Sequence, residues 1–144
     1  MDPTLKAALA GLAVLVVEDD PDLLMLSRVV LRFAEARVLV ARSAAEALER
    51  LRDGQPDVLV SDFSLPDRDG LELIREIRAL RPEDGGLTPA VAMTGHTEAE
   101  VRSAALAEGY QAFLEKPATP TALVRAIAGV ARSGAKDPPQ LARG

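Results

Sequence analysis

The chain has 144 residues, and its 17 lysines and arginines against 22 aspartates and glutamates give a formal net charge of -5. At about 100–200 residues per domain, this length corresponds to one domain with its own core. The acidic balance argues against nucleic acid as a direct partner, because a phosphate backbone attracts a basic surface. The chain has no Cys, which excludes disulfides, thiolate metal sites and cysteine nucleophiles. Its single His excludes a multi-histidine metal site within one chain.

Signals for membranes or export are weak. The longest apolar stretch, residues 7–17, has 11 residues, which is too short to span a bilayer. It also makes a poor signal peptide, because Asp2 precedes it and three acids follow it without a convincing cleavage site. We therefore expect a cytoplasmic protein without a membrane partner.

The pattern of apolar residues predicts the first strand and the first helix. Residues 12–17 (LAVLVV) form a continuous apolar run, typical of a parallel strand that is buried on both faces. Asp20 as N-cap and Pro21 at the first helical position predict a helix start directly afterwards. Its predicted inward stripe consists of Leu23, Leu26, Val30 and Phe33.

The same alternation of strand and helix continues along the chain. Further strands are predicted at residues 38–40, 57–61, 89–93 and 111–114, each followed by a helical pattern. Capping boxes, Ser43 with Glu46 and Thr97 with Glu100, open the second and fourth helices. Five consecutive strand-helix units predict an α/β fold with a doubly wound five-stranded parallel sheet and helices on both faces.

Polar side chains follow four of the five predicted strands, where ligands bind in open α/β sheets. They are Glu18, Asp19 and Asp20 after the first strand, Asp62 after the third, Thr94 after the fourth and Lys116 after the fifth. Clustered carboxylates repel one another unless a cation neutralises them, and oxygen ligands of this kind suit Mg²⁺. For Asp20 we favour the simpler role of a helix cap.

These groups suffice for the phosphorylation of an aspartate. Asp62 can attack as a carboxylate nucleophile and form an aspartyl phosphate. Mg²⁺, the Lys116 ammonium and the Thr94 hydroxyl would stabilise the oxygens of the phosphoryl group during transfer.

Four segments, LAVLVVEDDP, DVLVSDFSLPDRDGLELI, VAMTGH and AFLEKP, resemble the receiver domain of two-component response regulators over about residues 12–131. The resemblance implies a flavodoxin-like (βα)5 fold with strand order 2-1-3-4-5. It implies a phosphorylation-dependent signalling switch in a two-component phosphorelay. Residues 1–11 would then be an N-terminal extension and residues 132–144 a flexible tail, so that output acts through a partner surface.

The resemblance also assigns a metal site. Asp62 would be the phospho-acceptor and, with Asp19, a direct ligand of Mg²⁺, for which Mn²⁺ could substitute. The backbone carbonyl of Ser64 would complete the protein ligands, and Glu18 would belong to the acidic pocket and act through a water molecule.

A second group of residues would form the switch. By the same resemblance, Thr94 moves onto the phosphoryl group, Lys116 pairs with the phosphate, and Pro117 follows a cis peptide bond. Phe113 matches the aromatic residue whose rotamer follows Thr94, although core packing is an equal alternative for it.

Ser64 and His96 match positions that tune the attack of water on the aspartyl phosphate, with an exposed loop histidine as the alternative for His96. Neither is an acid or an amide that would orient water well, so we expect slow loss of the phosphate.

A histidine kinase or a histidine phosphotransfer protein would be the phosphodonor. A downstream protein would bind the face formed by the fourth helix, fifth strand and fifth helix. The protein could also form a homodimer. It could be a stand-alone regulator or a fragment of a hybrid histidine kinase, and the sequence leaves both questions open.

Two other functions compete with this interpretation. A Mg²⁺-dependent phosphohydrolase also forms an aspartyl phosphate, but it needs a second Asp where this chain has Ser64, and a cap domain. We therefore expect no enzyme, apart from self-phosphorylation by small phosphodonors and autodephosphorylation. A receiver that serves only for docking would not need the complete set of acidic, hydroxyl and lysine groups.

Overall fold

In the computed structural model, which describes residues 1–95 and 99–133, five strands alternate with five α-helices. The strands are β1 (Ala13–Val17), β2 (Arg37–Ala41), β3 (Val58–Asp62), β4 (Ala90–Thr94) and β5 (Ala112–Glu115). The helices are α1 (Pro21–Phe33), α2 (Ala44–Gly54), α3 (Gly70–Arg78), α4 (Ala99–Glu108) and α5 (Pro120–Ser133). All strand pairs are parallel, in the order β2-β1-β3-β4-β5, which confirms the predicted fold.

The central strand β1 is buried on both faces, as its unbroken apolar run predicts. Val14 and Val16 pack into one cluster with α1 and α5, which we call the α1/α5 core. Leu15 and Val17 point to the opposite face and pack with α2 and α3 into the α2/α3 core. The two cores hold β1 and β3 rigidly between them, so that the side chains that follow these strands start from fixed positions.

Side-chain caps start the helices at the carboxyl edge of the sheet. Asp20 accepts hydrogen bonds from the backbone N–H groups of the first turn of α1, as predicted. Ser43 caps α2, but the Glu46 carboxylate accepts from the backbone of Arg42 instead of closing the predicted box. A complete capping box lies at α3 instead, between Asp69 and Glu72. The predicted box at Thr97 lies outside the described residues.

The predicted inward face of α1 is partly wrong. Leu23 and Leu26 are 37% and 60% exposed, and Leu24 and Leu31 are buried in the α1/α5 core instead. The first turns of this helix (LLML) carry apolar residues on all sides, so helical spacing alone could not decide which of them face the sheet. As a result, Met25, Leu26 and Val29 form an exposed apolar surface, which we call the α1 face.

Two of the first eleven residues, Leu5 and Leu9, are buried in the α1/α5 core, and the others are exposed. A 3₁₀-helix at Pro3–Leu5 leads to Leu9, which is fully buried in the α1/α5 core. The Leu9 N–H donates to the carbonyl of Ala34 at 2.9 Å. At the other end α5 extends to Ser133, beyond the start of the predicted tail, and residues 134–144 lie outside the description.

Among the described residues no helix is both long and apolar enough to cross a membrane.

Candidate functional site

Three elements of the sheet bring an ion cluster together at its carboxyl edge. Glu18 directly follows β1, Asp62 ends β3, and Lys116 directly follows β5. The Lys116 Nζ donates to Glu18 Oε1 at 2.9 Å and lies 3.1 Å from Asp62 Oδ2. These side chains are well covered, with 7% of Glu18, 10% of Asp62 and 20% of Lys116 accessible.

Asp19 adds a third carboxylate to Glu18 and Asp62, and we call these three residues the acidic cluster. Oxygen atoms of Glu18, Asp19 and Asp62 all lie within 4.8 Å of one another. Asp19 is the exposed member, and its backbone carbonyl accepts a hydrogen bond from Arg42 Nη2 at 2.9 Å. The Lys116 ammonium contacts two of these three carboxylates, so the cluster keeps negative charge. It therefore offers the hard oxygen ligands that suit a divalent cation.

The protonation of this cluster follows from burial and charge. Burial raises the pKa of Glu18, and the nearby negative charge of Asp62 adds to the rise, although the hydrogen bond from Lys116 opposes it. Burial works against the charge of Lys116, but its bonds to Glu18 and Asp62 outweigh burial and raise its pKa above the ordinary value. Lys116 is therefore a permanent cation beside Asp62 at neutral pH.

The backbone after β3 fixes the Asp62 carboxylate. The Ser64 N–H donates to Asp62 Oδ1 at 3.2 Å, and the Phe63 N–H donates to the carbonyl of Met93 on β4 at 2.8 Å. Ser64 is exposed and pairs with Asp69 in a short antiparallel bridge that closes the loop between β3 and α3. Ser64 thus lies beside the acidic cluster, where its sequence position predicts it.

Thr94 and Phe113 lie on the neighbouring strands. Thr94 ends β4 and is buried, and its carbonyl accepts a hydrogen bond from the Lys116 N–H at 2.8 Å. Phe113 on β5 is buried in the α2/α3 core, with the guanidinium carbon of Arg102 from α4 at 5.9 Å from the ring centroid. Phe113 is therefore a core residue and a contact to α4 at once, which leaves both sequence interpretations open.

Three further residues with predicted roles are Pro117, Asp20 and His96. The Lys116–Pro117 peptide bond is cis. Asp20 uses its carboxylate as the cap of α1, in agreement with the simpler interpretation of this residue. His96 lies outside the described residues, and its assignment stays a prediction.

Sequence reasoning missed the role of Asp67 in the loop between β3 and α3. Its carboxylate accepts hydrogen bonds from the N–H groups of Ala44 at 2.9 Å and Ala45 at 3.0 Å, in the first turn of α2. Burial acts to raise the pKa of Asp67, but the hydrogen bonds from backbone amides, led by those of Ala44 and Ala45, together outweigh burial and lower the pKa. The partners are more than 20 residues away along the chain, so no local spacing pattern could have indicated this contact.

A cavity of about 510 Å³ lies between α1 and the start of α5, next to the acidic cluster. Its lining includes Glu18 and Lys116 together with apolar side chains, among them Leu23, Leu26, Val30, Met93 and Leu123. Leu26 belongs both to this cavity and to the α1 face, so one continuous apolar surface leads to the ion cluster.

The fold and the cluster at its carboxyl edge define a doubly wound α/β protein of the flavodoxin-like receiver type. Residues 14–128 match the family of response regulator receiver domains, and the chain belongs to this family. Receiver domains are phosphoryl-accepting switches of two-component systems, they interact with histidine kinases or phosphotransfer proteins, and they bind Mg²⁺ at an acidic pocket.

Two relatives show how much of this chain is shared with longer and shorter proteins. The chain is 43% identical over 119 residues to an uncharacterized 14.6 kDa protein of Leptolyngbya boryana, covering 83% of this chain and 89% of the relative. It is 34% identical over 119 residues to the transcriptional regulatory protein TrcR of Mycobacterium tuberculosis, covering 83% of this chain but 45% of that regulator. The chain thus spans less than half of that longer protein.

One solved structure of similar fold is a receiver domain with a bound metal ion. The receiver domain of the sensor histidine kinase PA1611 from Pseudomonas aeruginosa has magnesium coordinated in its active-site cleft. It is 30% identical, has a TM-score of 0.77, and covers 86% of this chain and all of its own.

Proposed function

We propose that this protein is a phosphorylation-dependent switch in which Asp62 accepts a phosphoryl group from a phosphohistidine donor. One observation carries the proposal: the Asp62 carboxylate is held between the Lys116 ammonium at 3.1 Å and the Ser64 N–H at 3.2 Å, beside two further carboxylates. A nucleophile next to a fixed cation and a cluster of metal-binding oxygens is what phosphoryl transfer requires.

The donor set of the site fits Mg²⁺. Asp19 and Asp62 would be direct carboxylate ligands, the Ser64 carbonyl a third ligand, and Glu18 would act through a water molecule, with Mn²⁺ as a substitute ion. When bound, the ion neutralises the carboxylates and binds a phosphoryl oxygen. The excess of negative charge around Lys116 supports this assignment.

The residues of the chain have separate tasks in the transfer. An Asp62 oxygen attacks phosphorus, the P–N bond of the phosphohistidine breaks, and its electron pair returns to the imidazole ring. The Ser64 N–H orients the attacking carboxylate, and Lys116 stabilises the negative charge of the transferred group.

Phosphorylation would then change the surface formed by α4, β5 and α5. Ala105 is the buried residue of α4 in the described structure, so this helix is held by little apolar contact and can shift at small cost. Thr94 would move towards the phosphoryl group, and Phe113 would readjust against Arg102. The result is a shift between two populated states that a downstream protein distinguishes.

The phosphodonor would dock on the α1 face. This face and the cavity beside it provide exposed apolar area directly next to Glu18 and Lys116. An exposed patch of this kind typically marks a protein interface, and a donor bound here would bring its histidine to Asp62.

The proposal is tested by incubation with acetyl phosphate and Mg²⁺, followed by mass spectrometry of the intact protein. We expect the addition of one phosphoryl group to the wild type and to Asp53→Asn, an exposed acid of α2, and none to Asp62→Asn. Labelling of Asp62→Asn would contradict the acceptor assignment. A wild type that takes up neither phosphate nor Mg²⁺ would instead favour a docking module without phosphorylation.

We further propose that the protein is not a turnover enzyme. A phosphohydrolase would need an acid-base carboxyl group two residues after Asp62, and Ser64 cannot supply one. A steady-state assay with a generic phosphomonoester should therefore give no turnover, and sustained hydrolysis that Asp62→Asn abolishes would contradict this.

A further inference from the structure

Tyr110 forms a buried polar contact that the switch described above does not use. It lies in the turn between α4 and β5 and is 3% exposed. Its hydroxyl donates to the carbonyl of Gly70, the first residue of α3, at 2.9 Å. Gly70 is 40 residues away along the chain, so this bond joins two distant parts of the fold.

The groups around the phenol belong to the segment that carries Asp62. Phe63, directly after Asp62, packs its ring against Tyr110 with 6.3 Å between the ring centroids. Burial raises the pKa of Tyr110, and the hydroxyl of Ser61, directly before Asp62, offsets part of this rise. Both chain neighbours of the acceptor thus interact with the same tyrosine.

This contact has little room to adjust. The Gly70 N–H donates to the carbonyl of Phe63 at 2.7 Å, which closes the loop between β3 and α3. A Cβ atom at Gly70 would lie 2.3 Å from Phe63 Cδ1, so the ring already fills this space. In such close packing a displacement of the loop must move the groups that touch it.

The turn that carries Tyr110 is anchored on its other side. The Tyr110 N–H donates to the carbonyl of Ala105, at the buried position of α4. The carbonyl of Gly109 accepts from the guanidinium of Arg78 on α3, at 2.7 Å from Nη2 and 3.2 Å from Nε. A movement of Tyr110 would therefore also displace the last turn of α4 and the start of β5. Tyr110 lies three residues before Phe113 in the chain.

A phenylalanine would fill the same apolar space, so packing alone does not explain the hydroxyl. A buried phenol loses its hydration, so its hydroxyl needs a hydrogen-bond partner inside the protein. The bond to the Gly70 carbonyl meets this need and therefore links two specific positions of the fold. We propose that Tyr110 is a positioning residue that couples the acceptor segment, residues 61–70, to the turn between α4 and β5. This inference rests on the proposed phosphorylation of Asp62 and adds a second connection beside Thr94 and Phe113.

The first test uses the unsubstituted protein. The chain contains one Tyr and no Trp, so ring-labelled [¹³C]tyrosine gives a single set of NMR signals that report on Tyr110. We expect these signals to shift when acetyl phosphate and Mg²⁺ phosphorylate the protein, and not in Asp62→Asn. Unchanged tyrosine signals in a sample that mass spectrometry finds phosphorylated would overturn the coupling and leave the acceptor assignment intact.

The second test removes the hydroxyl. Tyr110→Phe should be phosphorylated as completely as the wild type, but the phosphorylation-dependent amide shifts of residues 111–115 should fall to about half or less. Arg75→Gln is the matched control, because it breaks an exposed ion pair between α3 and Glu108 of α4 without touching the acceptor segment.

A purely structural tyrosine predicts a different outcome. Tyr110→Phe would then lower the melting temperature while the phosphorylation-dependent shifts kept their full size, and that result would overturn the inference. Failure of the wild type itself to become phosphorylated would overturn the proposed function and the coupling together.

Discussion

Lys116 and Glu18 are 98 residues apart in the chain, and their side chains meet at 2.9 Å. The same ammonium lies 3.1 Å from Asp62, so one lysine bridges a carboxylate that follows β1 and a carboxylate that ends β3. Burial makes this arrangement sensitive to charge, since neither carboxylate has much water to stabilise it. The balance among these ions and Asp19 leads to two predictions.

Asp19→Asn should distinguish two effects of the acidic cluster, the destabilisation of the fold by charge repulsion and the binding of a divalent cation. Without a divalent cation, the variant should have a free energy of unfolding up to about 1 kcal/mol higher than the wild type, because one repelling charge is gone. Mg²⁺ should stabilise the wild type by mass action and leave Asp19→Asn nearly unchanged. Urea denaturation at low salt, with EDTA and then with Mg²⁺, measures both effects.

Glu49→Gln provides the control for this experiment, since Glu49 is an exposed acid on α2 away from the cluster. It should respond to Mg²⁺ as the wild type does. An Asp19→Asn variant that gains as much stability from Mg²⁺ as the wild type would exclude Asp19 as a ligand.

Lys116→Met should slow phosphorylation by acetyl phosphate by about 100-fold, because the transferred group loses the cation that stabilises its charge. The affinity for Mg²⁺ alone should rise, since a competing positive charge has left the carboxylates. Initial labelling rates at saturating Mg²⁺ therefore isolate the effect on transfer, with Lys6→Met as the control. A rate close to that of the wild type would contradict the role of Lys116.

Much of the site could be predicted from sequence because strands buried on both faces leave an unmistakable pattern. The apolar runs that end at Val17 and Asp62 locate β1 and β3, and parallel strands bring their carboxyl ends to one edge. Glu18, Asp62 and Lys116 then lie together for topological reasons, whatever the details of packing.

The parts that escaped prediction depend on which neighbour a side chain meets. α1 carries apolar residues all around its first turns, so Leu24 and not Leu26 turned out to face the sheet. Asp67 and Tyr110 form their key hydrogen bonds with backbone groups 22 to 40 residues away, and backbone partners leave no trace in residue identity. Such contacts require the assembled fold.

Gly70→Ala should destabilise the protein by about 1–3 kcal/mol, because its Cβ would lie 2.3 Å from Phe63 Cδ1 and the ring has no free space. Gly129 on α5 is the matched control, since a Cβ there meets nothing within 4 Å. Gly129→Ala should stabilise by about 0.5–1 kcal/mol through a lower entropy of the unfolded chain. Equal urea midpoints for the two variants would contradict the close packing of Phe63 on Gly70.

Stability should fall as the pH rises above about 10. Burial raises the pKa of Tyr110 above the ordinary 10.0, and the ion pairs of Lys116 raise its pKa above 10.5 in spite of burial. In both cases the folded state holds its proton more tightly than the unfolded state, so the stabilisation is complete below these values and is lost above them.

The loss of stability at alkaline pH can be assigned to particular residues, because few side chains titrate in that range. Tyr110 is the single tyrosine, and the lysines are Lys6, Lys116 and Lys136. Tyr110→Phe should make the free energy of unfolding less dependent on pH above about 10. The same slope in wild type and variant would mean that the buried phenol does not contribute.

The α1 face should matter to a protein donor and not to a small one. Leu26→Ser removes an apolar side chain that is 60% exposed and lines the cavity beside Glu18 and Lys116. Transfer from a phosphorylated histidine kinase or phosphotransfer domain should slow by about tenfold, which corresponds to about 1.4 kcal/mol of lost docking energy. Labelling by acetyl phosphate should keep its rate, because this donor needs no docking surface.

Leu106→Ser, on the exposed side of α4, is the control for this comparison. It removes a similar apolar group from the proposed output surface and should leave both donors unaffected. If Leu26→Ser slowed acetyl phosphate as much as the protein donor, the effect would lie in the acceptor chemistry. If the two serine variants slowed the protein donor equally, docking would not be specific to the α1 face.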